Sequence, residues 1–239
     1  TTNTAKSPPS FGLTFLGGCG GRCGCRLTDS VSCCDLRYMS LDVIYLVGPG
    51  DPNEELRYSL RSVARNLPHR KIWVVGDKPK WVTGVEFIPG NPKSNKYQNV
   101  VANLLAACEA DGPTPNVVLM NDDFFVLRPV AAVAPTHLGR VTEANKGRAG
   151  TYQTGMKQTI DLLRRWGVPE PILSYEGPRP LPINRKLMAD ALRRAEGEKL
   201  VAVQYRTLYG NLYRIGGERG KDVKVSTSTQ TKDGWSATG

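Results

Sequence analysis

The sequence lacks most of the signals that settle a function class quickly. No apolar run reaches the roughly 18 residues of a membrane-spanning helix, and the short stretch Phe11 to Leu16 is glycine-flanked and has no basic region before it, so it makes a poor signal peptide. Histidine occurs only at His69 and His137. The paired C-x2-C knuckles of zinc sites are missing. No helix-turn-helix, zinc-finger or RNA-recognition signature is visible, and there is no internal repeat.

What remains is an ordinary globular composition over 239 residues, 40% hydrophobic and 23% charged, enough for one large domain or two small ones. The formal net charge is +10, of which the first 38 residues carry +2. Such an excess suits a polyanionic partner, whether nucleic acid, a nucleotide-linked substrate or an acidic surface, and it equally fits a solvated basic face. Five of the six cysteines fall between Cys19 and Cys34. Their spacing, and the Gly, Ser and Thr around them, favour a leader over residues 1–38 that stands outside the fold, ahead of a metal site or disulfides. "MSLDVIYLVGPG" from Met39 reads as the start of a cytosolic domain. Cys108 sits in a helical apolar pattern and is expected in the core.

From Leu41 the pattern becomes regular. "LDVIYLV" reads as a strand ending in the turn-rich "GPGDPN". "NEELRYSLRSVARNL" reads as a helix, with Asn53 as N-cap, Glu54 and Glu55 in the first turn, and Leu56, Leu60, Val63 and Leu67 on one face. "KIWVVGD" and "GVEFIPG" are the next strands. "NKYQNVVANLLAACEA" is a helix with Val100, Leu104, Ala107 and Cys108 as its buried stripe. "NVVLMND" is the fourth strand, and "FFVLRPV" continues after the acids. Alternating strands and helices over residues 41–130 predict an α/β fold on a mostly parallel sheet flanked by helices. Ligands bind such sheets outside the carboxyl ends of the strands. Beyond residue 130 the expected elements are a helix in "KQTIDLLRRWGV", another from about Asn184, and a strand running into a helix or loop in "KLVAVQYRTLYGNLY". The reading gives one domain over residues 39–225 and a flexible tail over 226–239.

Within "NVVLMNDDFFVLRP", Asp122 and Asp123 stand between two apolar runs. Adjacent acids repel each other and lose hydration on burial. A hard divalent cation, Mg²⁺ or Mn²⁺, would offset that repulsion and bridge to substrate phosphates. The plain alternative is an acid pair that caps a turn.

In order, "NEELRYSLRSV", "IWVVGDKPKWV" and "VVLMNDDFFVL" resemble the core of the Stealth family of sugar-phosphate transferases, which carry a similar E-L-R-Y-S-L-R-S helix, P-x-W and N-D-D. The series is equally similar to glycosyltransferase-like proteins of bacteriophages and actinobacteria. The match covers about residues 42 to 130. The resemblance implies a GT-A-like (nucleotide-diphosphosugar transferase) fold with a donor-binding half over 41–130 and an acceptor half over 131–225. It implies transfer from a nucleotide-diphosphosugar donor to a hydroxyl of a glycan or protein acceptor, a virion surface included. It makes Asp122 and Asp123 the metal ligands. Stealth proteins also carry an H-x-P motif downstream. Here the comparable stretch reads "SYEGPRPLP", with Gly177 in the place of a histidine. This departure favours sugar transfer over sugar-phosphate transfer. A nucleic-acid-binding module explains the charge but not the acid pair.

On the donor side the candidates are Gly48, Gly50 and Asp51 in the first loop, and Arg57 near the start of the first helix with Arg61 one turn on. Lys96 and Asn99 follow at the helix start that, in the resembling glycosyltransferases, approaches the donor sugar. Asn121 and a stacking Trp81 complete that side. Glu176 is the candidate general base, with Asp222 as its rival, because inverting sugar transfer needs a carboxylate to take the acceptor proton. Arg206, Tyr209 and Asn211 are candidate acceptor contacts. Each has a bland counterpart: a solvated helix face, a turn, or packing.

Overall fold

The computed structural model describes residues 41–50, 52–90, 95–144, 146 and 149–222, with the backbone of 230–231 and 234–235. All of these belong to the compact unit Val31–Gly239. The expected leader over residues 1–38, its cysteine cluster, and Asp51 lie outside the described residues.

The central sheet is built from β1 (Asp42–Val47), β2 (Ile72–Gly76), β3 (Glu86–Pro89), β4 (Asn116–Asn121) and β6 (Leu181–Asn184), in the order β3-β2-β1-β4-β6. The first four run parallel, and β6 pairs antiparallel with β4. The sheet is therefore mostly parallel and flanked by helices, the expected fold class. Helix α1 (Glu54–Asn66) connects β1 to β2, and α2 (Lys96–Glu109) connects β3 to β4. The chain moves outward from β1 to β3 and then returns to the other side of β1. The strand order reverses between β1 and β4, and a crevice opens at such a reversal, outside the carboxyl ends of the strands.

The apolar alternation of β1 explains why helices cover both faces. Val43, Tyr45 and Val47 pack with Leu56, Val63 and Leu67 in one cluster that also takes Val118 and Met120 of β4. Ile44 and Leu46 face the other way, onto Leu104, Ala107 and Cys108 of α2 and Met188 and Leu192 of α5 (Arg185–Glu196). A strand buried on both sides reads as a continuous apolar run. A third cluster joins α3 (Val141–Ala144), α4 (Gly150–Arg165), α5 and α6 (Tyr205–Leu212) through residues such as Val141, Met156, Leu163, Ala191 and Leu208. Cys108 is buried as expected, and burial pushes its thiol up to about 12.

Two polar devices hold the amino-terminal edge of the sheet. Asp42 is fully buried, and its carboxylate accepts from Arg70 Nε and Nη2, Lys71 N, Trp73 Nε1 and Thr114 N. Arg185, the first residue of α5, donates to the carbonyls of Ala107, Cys108 and Ala110 at the end of α2, and to those of Pro113 and Thr114. A helix end leaves carbonyls without partners, and a guanidinium is well shaped to satisfy several.

The structure corrects the sequence reading in several places. "FFVLRPV" does not continue the strand. The chain turns at Asp122 and Asp123 and runs irregularly along α1, burying Phe124 and Val126 and exposing Phe125 and Leu127. Polar side chains of α1 replace the missing ladder: Ser59 donates to Phe124 O, Asn66 to Val126 O, and Ser62 Oγ accepts from Val126 N. Helix α4 begins at Gly150, earlier than the periodicity implied. Residues 181–184 of the proline-rich approach form the antiparallel edge strand, while 199–204 form no strand. Short β5 (Thr136–His137) pairs with β7 (Glu218–Arg219). At the tail, β8 (Gln230–Thr231) pairs with β9 (Gly234–Trp235), and the rest of residues 226–239 lies outside the described residues. Among the described residues no helix is long and apolar enough to cross a membrane.

Candidate active site

Val47, Gly76 and Pro89 end three adjacent parallel strands, and a cavity of about 330 Å³ opens beside them. It is lined by Gly48 after β1, Gly76 at the end of β2 and Asp77 after it, Gly90 after β3, and Lys96, Asn99 and Asn103 on α2. Its floor depends on two glycines. Gly76 has φ +114°, and a Cβ there would stand 2.1 Å from Val47 O and 2.5 Å from Asn103 Nδ2. At Gly90 a Cβ would stand 2.8 Å from Gly76 Cα. Backbone packs against backbone here because no side chain intervenes. The amino-terminal turn of α2 lines the same cavity, and an amino-terminal helix end favours an anion.

Next along the edge, β4 ends at Asn121 and the chain turns through Asp122 and Asp123. Asn53 fixes the turn from the opposite wall. It caps α1 by accepting from Leu56 N at 3.0 Å, while its Nδ2 donates to Asp122 Oδ2 at 2.9 Å. Asn53 has φ +48°, a left-handed conformation that asparagine tolerates better than most residues. Asp123 is exposed and Asp122 half-buried. No group of three or more His, Cys, Asp or Glu residues suited to a metal occurs among the described residues. Two adjacent acids still fit Mg²⁺ or Mn²⁺, which keep water ligands and take others from substrate phosphates.

On the far side of Asn121 stands Arg206, only 3% exposed. Its Nη2 donates to Asn121 Oδ1 at 3.3 Å and its Nη1 to Arg179 O at 2.6 Å, and its guanidinium lies 5.1 Å from the Phe124 ring centroid. Glu176 Oε1 accepts from Thr207 N at 2.9 Å, so the carboxylate caps the start of α6. Burial pushes the Glu176 carboxyl above its ordinary value, while Arg206 and the helix-end hydrogen bonds pull against that rise. Asn121, Arg206 and Glu176, chosen separately from the sequence, thus form one cluster beside Asp122.

Other candidates land elsewhere. Gly48, Lys96 and Asn99 share the cavity. Arg57 is stacked over Trp81 at 4.3 Å from the ring centroid, with its Nε 3.1 Å from Glu54 Oε2. Trp81 in turn donates to Pro52 O, so it supports an arginine and the first loop instead of presenting a bare face. Gly50 (φ +153°) and Arg61 are in the described part, and neither lines the cavity. Tyr209 and Asn211 are buried, which corrects their reading as acceptor contacts. Tyr209 OH accepts from Asn184 N, and the Asn211 amide bridges Leu173 and Thr207 O. Asp222 is exposed on the segment after β7. Asp77, Asn103 and Arg179 were not singled out by the sequence, and Asn53 stood there as a helix cap alone. The "GD" after β2 marked a polar loop without singling out Asp77. Asn103 lies one turn after Asn99, a polar residue inside an apolar stripe, and that mismatch was the available signal.

A larger groove of about 570 Å³ lies between α2 and α5, away from the strand ends. Its walls include Val101, Leu105, Leu192 and Val203, and among its charged residues Glu109 and Arg193 are bonded to each other. Its place between two helices, away from the strand ends and the acid pair, sets it apart from the site. Neither histidine stands at the strand ends as a reactive group. His69 precedes β2 at the opposite edge, and the His137 ring packs edge-on against Tyr175 at 6.0 Å.

No protein-family model matches the chain, and no curated protein does. One similar solved structure is the 2-C-methyl-D-erythritol 4-phosphate cytidylyltransferase from Thermus thermophilus. It is 13% identical, with a TM-score of 0.36, over 71% of this chain and 83% of that one. A likeness of that size assigns neither activity nor ligand.

Proposed function

We propose that the chain is a metal-dependent glycosyltransferase that moves a sugar from a nucleotide-diphosphosugar to an acceptor hydroxyl. The observation that supports it most is the order of groups along one sheet edge. A cavity with a helix amino terminus and a few polar side chains comes first, the Asp122–Asp123 pair next, and the Glu176–Arg206 cluster last. A donor's nucleoside fits the cavity, with Asp77, Asn99 and Asn103 as hydrogen-bonding partners and Lys96 beside the diphosphate. Asp122 and Asp123 would hold Mn²⁺ or Mg²⁺, which supplies positive charge to the leaving diphosphate. The sugar then projects toward Asn121. As the acceptor oxygen bonds to the anomeric carbon, its proton passes to Glu176, and the bond from that carbon to the phosphate oxygen breaks. Burial raises the proton affinity of Glu176, which suits a base. Arg206 opposes that rise and holds Asn121 in place.

The test is release of nucleoside diphosphate from a panel of uridine, guanosine and thymidine diphosphosugars with Mn²⁺. Wild type turns over at least one donor, and Asp122→Asn with Asp123→Asn does not. If no donor is hydrolysed or transferred, the proposal fails. Glu176→Gln separates base from cap, because the amide oxygen still accepts from Thr207 N. The variant should keep its unfolding midpoint and lose roughly a hundredfold or more in rate, the usual scale of a removed general base. Full activity would reduce Glu176 to a helix cap.

A further inference from the structure

Arg179 is half-buried, yet its guanidinium meets a single acceptor among the described residues, Lys221 O at 3.3 Å from Nη2. Its Nε is enclosed with no acceptor among them. The group stands close to Gly220, where a Cβ would lie 3.5 Å from Cζ and Nε. A guanidinium carries five N–H donors, and an enclosed donor without an acceptor is costly unless something else accounts for it. Other arginines nearby are committed: Arg219 faces Glu143 at 3.4 Å, and Arg206 is spent on Asn121 and on Arg179 O.

The position of Arg179 is fixed by the sheet. Leu181 of β6 stands opposite Leu119 of β4, so the antiparallel register carried two residues further brings Arg179 level with Asn121. The cavity at Gly48, Gly76 and Lys96 lies over β1 to β3, on the other side of β4. The edge therefore runs from cavity to Asp122, then to Asn121 and Arg206, and ends at Arg179. A donor placed by the cavity and the acid pair fills the first part. We propose that Arg179 is an anion-binding residue on the acceptor side, and that the acceptor is a sugar carrying a carboxylate or phosphate. This rests on the glycosyltransferase reading for the word acceptor, while the anion subsite stands on Arg179 itself. A guanidinium presents paired N–H groups to two oxygens, the geometry that suits both anions. Lys221, whose carbonyl accepts from Arg179, is exposed, as is Asp222 beside it in the chain.

Saturation-transfer NMR on the full chain with glucose 6-phosphate, glucuronate and glucose tests this, alone and with saturating uridine diphosphate and Mn²⁺. Both charged sugars are expected to bind at least about tenfold more tightly than glucose, the scale of one charge-assisted hydrogen-bonded pair. Binding should persist when uridine diphosphate is present. Arg179→Gln should bring the charged sugars down to the level of glucose, and Arg179→Lys should keep part of the preference. Equal binding of glucose by the wild type overturns the proposal without any variant, so a misfolded Arg179→Gln does not protect it. Unchanged anion binding in Arg179→Gln overturns it too, and so does displacement by uridine diphosphate, which would make this a donor phosphate site. If no nucleoside diphosphate binds and Arg179 still selects charged sugars, the anion subsite holds and the donor reading falls.

Discussion

Replacing Arg206 by Gln is the sharpest probe of the cluster beside Asp122. The side chain is 3% exposed and serves Asn121 Oδ1, Arg179 O and the field at Glu176. Its removal leaves Asn121 Oδ1 and Arg179 O without their donor and the half-buried Glu176 carboxylate without its positive neighbour, a loss of about 1–3 kcal/mol. Glu176→Gln alone should cost far less, since the bond from Thr207 N survives. Together the two changes should cost less than their sum, with a coupling of about 1–3 kcal/mol. The sign of the pH dependence follows from the carboxyl being raised by burial and lowered by Arg206. In wild type, Glu176 binds its proton more readily folded than unfolded, so its contribution weakens stability as pH rises through the folded pKa. Loss of Arg206 raises that pKa further, and the penalty grows toward alkaline pH. Urea midpoints for the four proteins of the cycle at about pH 8 and about pH 5 measure this. A coupling below about 0.5 kcal/mol at the higher pH, or one equal at both, would refute the reasoning.

Asp42→Asn should lower stability by about 3 kcal/mol, because Arg70, Trp73 and Thr114 lose a shared charge. Burial raises the Asp42 carboxyl, but the bonds from Arg70, Thr114 and Trp73 outweigh it and hold the pKa low. Its stabilisation is therefore present at neutral pH and lost as pH falls through that folded pKa, and acid unfolding of the variant should show a shallower limb. Gly76→Ala places a Cβ 2.1 Å from Val47 O at φ +114°. The floor must shift, so nucleotide stabilisation in a thermal melt should fall by more than the melting point of the free protein does. Arg185→Leu strips donors from five carbonyls around the end of α2 and should cost about 2–4 kcal/mol in urea unfolding, more than any exposed arginine of α5.

The parallel half of the fold was legible because its signals are local. Asn53 and Asn95 cap their helices within four residues, and β1 and β4 are continuous apolar runs bounded by turns. The antiparallel edge strand was hidden by Pro178, Pro180 and Pro182, residues that suit an edge strand but look like loop. The irregular path of Phe124 to Val130 depends on Ser59, Ser62 and Asn66 sixty residues away, a partnership that no window of sequence displays. The site divides in the same way. Gly48, Lys96, Asn99 and Asp122 follow from strand ends and helix starts. Tyr209 and Asn211 looked like surface contacts because aromatic and amide residues suit a sugar, yet tertiary packing claims both. Arg179 emerged only once the register of β6 placed it level with Asn121.

Calorimetric binding of uridine, guanosine and thymidine diphosphates, each with and without Mn²⁺, tests the central claim most directly. The account predicts that at least one binds, that Mn²⁺ tightens it, and that Asp122→Asn with Asp123→Asn abolishes the metal effect while the cavity residues keep the weaker metal-free binding. Failure of all three to bind under either condition, or a metal effect that survives in the double variant, would contradict it.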